Sequence, residues 1–145
     1  MEKRAQIAPY EIFDQALRFR NAAHRCRKTE KDYDESIGVL EAPAIVCCAM
    51  SIELYLKYII FYLEKRLANG HNINTLFYHI PQKQQEDIIR IMGTNEGFND
   101  RLIMLSSALT KWRYAYEYRE LSSSFGFYFE LMETFHTLCT KAPTE

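Results

Sequence analysis

An all-helical fold is what this sequence predicts, and three observations predict it. Apolar residues recur at steps of three and four through most of the chain, the period of helices with one buried face. The stretch from Pro43 to Gly70 is apolar on two sides, as in a helix with neighbours on both. Short connections separate the periodic segments, which makes an antiparallel up-and-down bundle of four to five helices the natural architecture. At 145 residues, without repeats or low-complexity runs, the chain reads as one domain over residues 1–145.

The first helix is expected from Pro9 to about Lys31, with Ile12, Ala16, Phe19, Ala23 and Cys26 on one line and Phe13, Leu17 and His24 beside it. Residues 30–41 are acidic and broken by Gly38, so they read as a connection whose charge suits the start of the next helix. That central helix opens at Pro43, where a missing N–H costs nothing, and Gly70 is expected to close it. One of its faces carries Ile45, Cys48, Ile52, Leu56, Ile59 and Leu63, the other Cys47, Leu54, Tyr58 and Phe61. A seam of Glu53, Lys57 and Glu64 runs between them. Residues 71–80 form a short helical turn before Pro81, and a modest helix follows, ended by Gly93. Asn99 or Asp100 is expected to cap a helix bearing Leu102, Leu105, Leu109, Trp112 and Tyr116. After Ser122–Ser124 a last helix aligns Phe127, Leu131, Phe135 and Leu138.

The central stretch is long enough to cross a bilayer, but Glu53 and Lys57 fall near its middle, where each charge costs roughly 2.5 kcal/mol or more. A buried helix is therefore expected, and no membrane partner. Net charge is -1, so any basic footprint for nucleic acid must be local. The four cysteines (Cys26, Cys47, Cys48, Cys139) form no CxxC pair and no spaced Cys/His cluster, which points to reduced thiols, no metal, and the cytoplasm. Ten tyrosines and nine phenylalanines suit a core, a partner interface or a base-stacking surface.

No HExxH, GxSxG, Walker or Gly-rich phosphate loop is present, which weighs against those enzyme classes. Arg18, Arg20, Arg25, Arg27, Lys28 and Lys31 flank the apolar line of the first helix. Either their stems lie on the core while the charges stay wet, or they contact RNA phosphates. Arg113 falls at the border of a buried stripe and needs an acidic partner, for which Glu53 is the candidate. It is either one half of a staple between helices or a phosphate-binding group. His71 suits the negative end of the central helix, while His79 and His136 read as packing residues.

Taken in order, SIELYLKYII at 51–60, GHNINTLF at 70–77 and WRYAYE at 112–117 resemble the HEPN superfamily of small helical, nucleic-acid-associated domains. With the helices before and after, the resemblance covers most of the chain. It implies an up-and-down bundle of four or five helices that dimerises. Many such domains are metal-independent ribonucleases of toxin, CRISPR and phage-defence systems, whose signature is Arg, four to six residues, then His, acting across a dimer. The Arg stabilises phosphate charge while the His moves protons during attack by the 2′-OH. In this chain Arg113 is followed by YAYEYRELSSS, without a His at that offset. Arg66 with His71 and Arg18 with His24 satisfy the bare spacing, at a frequency chance alone produces. The residues that match recurrent family positions are Glu53, Lys57, His71, Arg113, Tyr114 and Glu117.

The resemblance implies an RNA-associated or partner-binding component of a microbial defence or toxin-antitoxin system, without the usual ribonuclease site and without a cofactor. A homodimer, RNA, and a cognate antitoxin or nucleotidyltransferase-type protein are the partners it suggests. One alternative is an active metal-independent endoribonuclease with a divergent site around Arg113 and His71. A second is a purely structural helical assembly module.

Overall fold

Helix α2 (Glu41–Glu64) takes the middle of the molecule because it has no polar face wide enough to meet water. Its residues Cys48, Ala49, Ile52, Tyr55, Leu56 and Ile60 are essentially inaccessible. The computed structural model describes residues 8–28, 41–93, 96–111 and 125–141, and the regular structure of these residues is six helices and no strand. Around α2 lie α1 (Pro9–Arg27), α3 (Ile73–Phe77), α5 (Phe98–Lys111) and α6 (Phe125–Lys141), while α4 (Gln82–Met92) packs on the outside of α6. By length and hydropathy the segment Ala42–Glu64 is able to span a membrane, but 67% of its most apolar window is buried inside the bundle.

Helix α1 starts where Ala8 gives way to Pro9, and the Glu11 carboxylate reaches back to the Ala8 N–H at 3.1 Å. It ends sooner than the periodicity predicts. Arg27 is its last residue, and Lys28 is extended with its N–H on the Arg25 carbonyl at 3.2 Å. Lys31 lies outside the described residues. The antiparallel pairing of α1 with α2 is fixed by ring contacts of Phe13 with Tyr55 and Tyr58, and by the Ser51 hydroxyl, which donates to the Ala16 carbonyl at 2.9 Å. Helix α6 runs parallel to α2: Tyr55 meets His136, and further along Ile59 and Leu138 line a common groove.

The expectation that Gly70 closes the central helix is corrected. Helix α2 ends at Glu64, and Lys65 takes the left-handed turn at φ 61°, with its N–H on the Phe61 carbonyl at 2.8 Å and its ammonium over the Tyr62 ring. The early stop has a physical reason. A helix continuing to Asn69 carries residue 71 about 27 Å from Glu53, and the bonds between these two residues are then impossible. Gly70, at φ 92°, serves the return of the chain instead. Leu63, expected in the apolar face, is 53% exposed beyond the last covered turn.

Gly93 closes α4 in the left-handed conformation, φ 73°, as its position predicts. Helix α5 begins at Phe98, before the expected caps Asn99 and Asp100, because Phe98 is buried against Phe77 and Phe127 and its turn is drawn into the core. Trp112 and Tyr116 lie outside the described residues. In α6 the fully buried positions are Tyr128, Leu131, Met132, Phe135 and Cys139, so the expected line through Phe127 and Leu138 forms the edge of that face.

Candidate functional site

The polar seam of α2 reaches the surface at the return of the chain after Lys65, and there Glu53, Lys57 and His71 meet. Lys57 stands one turn along α2, its Nζ 3.3 Å from the Glu53 carboxylate. Nδ1 of His71 donates to the same group and lies 3.2 Å from each oxygen. Exposure divides the cluster sharply: the side chain is 5% exposed for Glu53, 11% for Lys57 and 74% for His71. Because a carboxylate only accepts hydrogen bonds, Nδ1 carries the proton, and Nε2 is the nitrogen left for a ligand. Lys57 offsets the buried charge of Glu53, and the imidazole orients on the remaining lone pairs.

Two backbone features position this ring. The turn at Lys65 sends the chain back along α2, and Asn72 leads into α3 with extended backbone. The Asn72 side chain does not cap α3. The Ile73 N–H instead donates at 2.7 Å to the hydroxyl of Ser106 on α5, which passes its own proton to the Leu102 carbonyl at 3.0 Å. Eight residues after His71, His79 donates through Nε2 to Glu64 at 2.5 Å. That hydrogen bond leads the influences that hold the exposed Glu64 carboxyl below its ordinary range.

Arg113, Tyr114 and Glu117 lie outside the described residues, and with them the expected pair of Arg113 and Glu53. The two Arg-to-His spacings do not build Arg–His pairs. Arg66 binds Glu64 at 3.3 Å whereas His71 turns to Glu53, and Arg18 binds Asp14 at 3.1 Å whereas His24 turns to α6. The basic line of α1 divides in the same way. Arg20 donates through Nε to Glu133 at 2.9 Å, and the Arg27 guanidinium lies over the Phe129 ring, 4.8 Å from its centre. Arg25 and Lys28 are exposed and face solvent at the end of the helix.

A second polar cluster, joining α1, α2 and α6, escapes the sequence reading. Glu133 bridges Arg20 and His24, and both are hydrogen-bonded to it. Burial acts to raise the Glu133 carboxyl, but these two bonds together with the charges of Arg20 and His24 hold the group below its ordinary range. Beside it, Nδ1 of His136 bonds the Tyr55 hydroxyl at 2.7 Å, and the ring stacks on Phe13. Burial and then the Arg20 charge depress His136, which keeps it neutral near pH 7. Arg20 and His24 are four apart on one helix, Glu133 and His136 three apart on another, so each half has face-sharing spacing. Only tertiary packing brings the halves together.

Comparison with family models, with characterised proteins and with solved structures finds no match to the chain in any of the three. The chemistry therefore rests on the geometry. Among the described residues no group of three or more His, Cys, Asp or Glu side chains is placed to hold a metal. What the Glu53 cluster offers is one exposed, oriented imidazole able to contact an anion or move a proton.

Proposed function

We propose that this chain is a HEPN-like helical domain that associates with RNA in a microbial defence or toxin-antitoxin system, and that it lacks the family's usual Arg–His ribonuclease pair. The observation that carries the reading is His71: its ring is 74% exposed and is oriented by a buried carboxylate from a helix 18 residues away in sequence. In its imidazolium form, with a second proton on Nε2, a ring held this way donates to a phosphodiester oxygen, and Arg25 and Lys28 add exposed positive charge elsewhere on the surface. In this reading the protein is cytoplasmic and works as a homodimer, with a cognate antitoxin or nucleotidyltransferase-type protein as its partner.

The test is binding of a fluorescent single-stranded RNA, followed by anisotropy between 50 and 200 mM salt. Wild type is expected to bind more weakly as salt rises, and Arg25→Ala with Lys28→Ala to lower the slope of log K against log salt by roughly 1.4, about 0.7 per phosphate contact on a single strand. His71→Ala is expected to weaken binding further. Absence of salt-dependent binding across single-stranded and structured RNAs overturns the reading and favours a structural assembly module.

A second reading draws on the same ring. With Nδ1 on Glu53, His71 has the fixed tautomer that a general base needs, which supports an active metal-independent endoribonuclease with a divergent site around Arg113 and His71. RNA cleavage in the presence of a chelator that disappears in both Arg113→Ala and His71→Ala establishes that reading in place of the first.

A further inference from the structure

We propose that Cys26 and Cys47 form a peroxide-responsive dithiol that closes to a disulfide between α1 and α2, a modification site separate from the Glu53 cluster. Cys26 lies in the last turn of α1 and Cys47 in the second turn of α2, at the end of the antiparallel pair where the chain passes from one helix to the next. Helical phase puts both on facing lines. Cys47 is one turn before Ser51, which donates to the Ala16 carbonyl of α1, and three turns before Tyr58, which meets Phe13 of α1. Cys26 follows the wholly buried Ala16 and Ala23 on the side of α1 that packs against α2. It is also turned away from α6, since His24, which bonds Glu133 there, points about 160° round the helix from it. The two thiols are accordingly hydrogen-bonded neighbours. Each is partly exposed, whereas Cys48 and Cys139 are buried.

Position assigns the roles. Cys26 is one residue from the end of α1, between the exposed Arg25 and Arg27, and meets the oxidant first. Cys47, kept protonated by its burial, is the resolving thiol. The Cys26 thiolate gives an electron pair to one oxygen of hydrogen peroxide, the O–O bond breaks, one water leaves, and the sulfur becomes a sulfenic acid. The Cys47 sulfur attacks it, the S–O bond breaks, and the hydroxyl leaves with the Cys47 proton as a second water. Two thiols are oxidised by two electrons and one peroxide is reduced to two waters. A small-molecule thiol reverses the step, so the resting state is the reduced one that the cysteine pattern predicts. The bond closes a loop over residues 27–46 and restricts the unfolded chain, so the oxidised protein is expected to unfold about 10 °C higher.

The test is exposure of the full chain to hydrogen peroxide at pH 7, alkylation of the remaining thiols in denaturant, and mass spectrometry of the intact chain and of its unreduced tryptic peptides. The expected result is a loss of about 2 Da, the two hydrogens removed, with Cys26 linked to Cys47 and the mass restored by dithiothreitol. Cys26→Ser and Cys47→Ser are each expected to abolish the link, while Cys48→Ala, on the same tryptic peptide as Cys47, keeps it; circular dichroism checks that each variant is folded. In urea the fold no longer selects the pair, and Cys26 is expected to join Cys47 and Cys48 alike. The proposal is overturned by oxidation that only adds oxygen, by a link that persists in Cys47→Ser, or by bonds between chains in place of within one. A preference for Cys47 that survives in urea, or a lower Tm on oxidation, overturns it too, because the folded geometry is then not what joins the two thiols.

Discussion

Replacing Glu53 by alanine removes the centre of a nearly buried ion pair and leaves Lys57, 11% exposed, without its counter-charge. Breaking such a pair from one side costs about 3–5 kcal/mol, because the abandoned charge stays desolvated. Lys57 keeps a path to water and His71 is already solvated, so the lower end of that range applies, about 3 kcal/mol. For a chain of 145 residues the entropy of unfolding is about 0.3 kcal/mol per degree, which turns this loss into a fall of about 10 °C in Tm. Removing both charges has the opposite logic. Glu53→Leu combined with Lys57→Met leaves no unpaired charge and is expected to lie within about 1 kcal/mol of wild type. Urea denaturation followed by circular dichroism at pH 7 measures both, and Glu53→Leu alone with Lys57→Met alone closes a double-mutant cycle. A double variant as unstable as the sum of the two singles refutes the account, since the two side chains are then not coupled.

Three further outcomes are expected. Ser106→Ala leaves the buried Ile73 N–H without its acceptor at 2.7 Å, which costs about 1–3 kcal/mol and is read as faster amide hydrogen exchange in α3 than in α2. The Glu133 carboxyl is depressed in the fold, so its contribution to stability is present above the ordinary value of 4.5 and is lost as pH falls through the lowered folded value; Glu133→Gln is expected to flatten the stability profile in that acid range. Burial, followed by the neighbouring Cys26, pushes the Cys47 thiol from 9.0 to about 11, so at pH 8 iodoacetamide is expected to modify it about 100-fold more slowly than an unhindered thiol, with the rate still rising past pH 10.

The helical class and most of the core were legible in the sequence because both depend on periodicity. Ile12, Ala16, Ile45, Cys48, Ile52, Leu56 and Ile59 fall on their expected faces and are buried. Helix ends were less legible. Gly70 offered the usual closing signal, yet Lys65 takes the left-handed turn, and the return it starts brings His71 onto Glu53, a contact 18 residues apart that no local signal announces. The site was legible in part: the seam of Glu53 and Lys57 follows from helical spacing, but the return of His71 depends on the turn after Glu64. The cluster of Arg20, His24 and Glu133 joins residues more than a hundred positions apart, and no local pattern announces it. For the same reason the basic line of α1 looked uniform, although residues on α6 engage Arg20 and Arg27 and leave Arg25 and Lys28 to water.

The chain between Lys65 and Ile80 is sutured to α2 at two points, His71 on Glu53 and His79 on Glu64. These carboxylates share one line of the helix, three turns or about 16 Å apart. Between the two ties the segment is anchored by buried Ile73, Leu76 and Phe77 and by the Ile73 N–H on Ser106, so a slide of one residue breaks the ties and the packing together. Releasing either tie alone leaves the segment registered by the other and by α3 in the core. The exposed ring of His71 is therefore presented from a fixed address on the surface of the bundle.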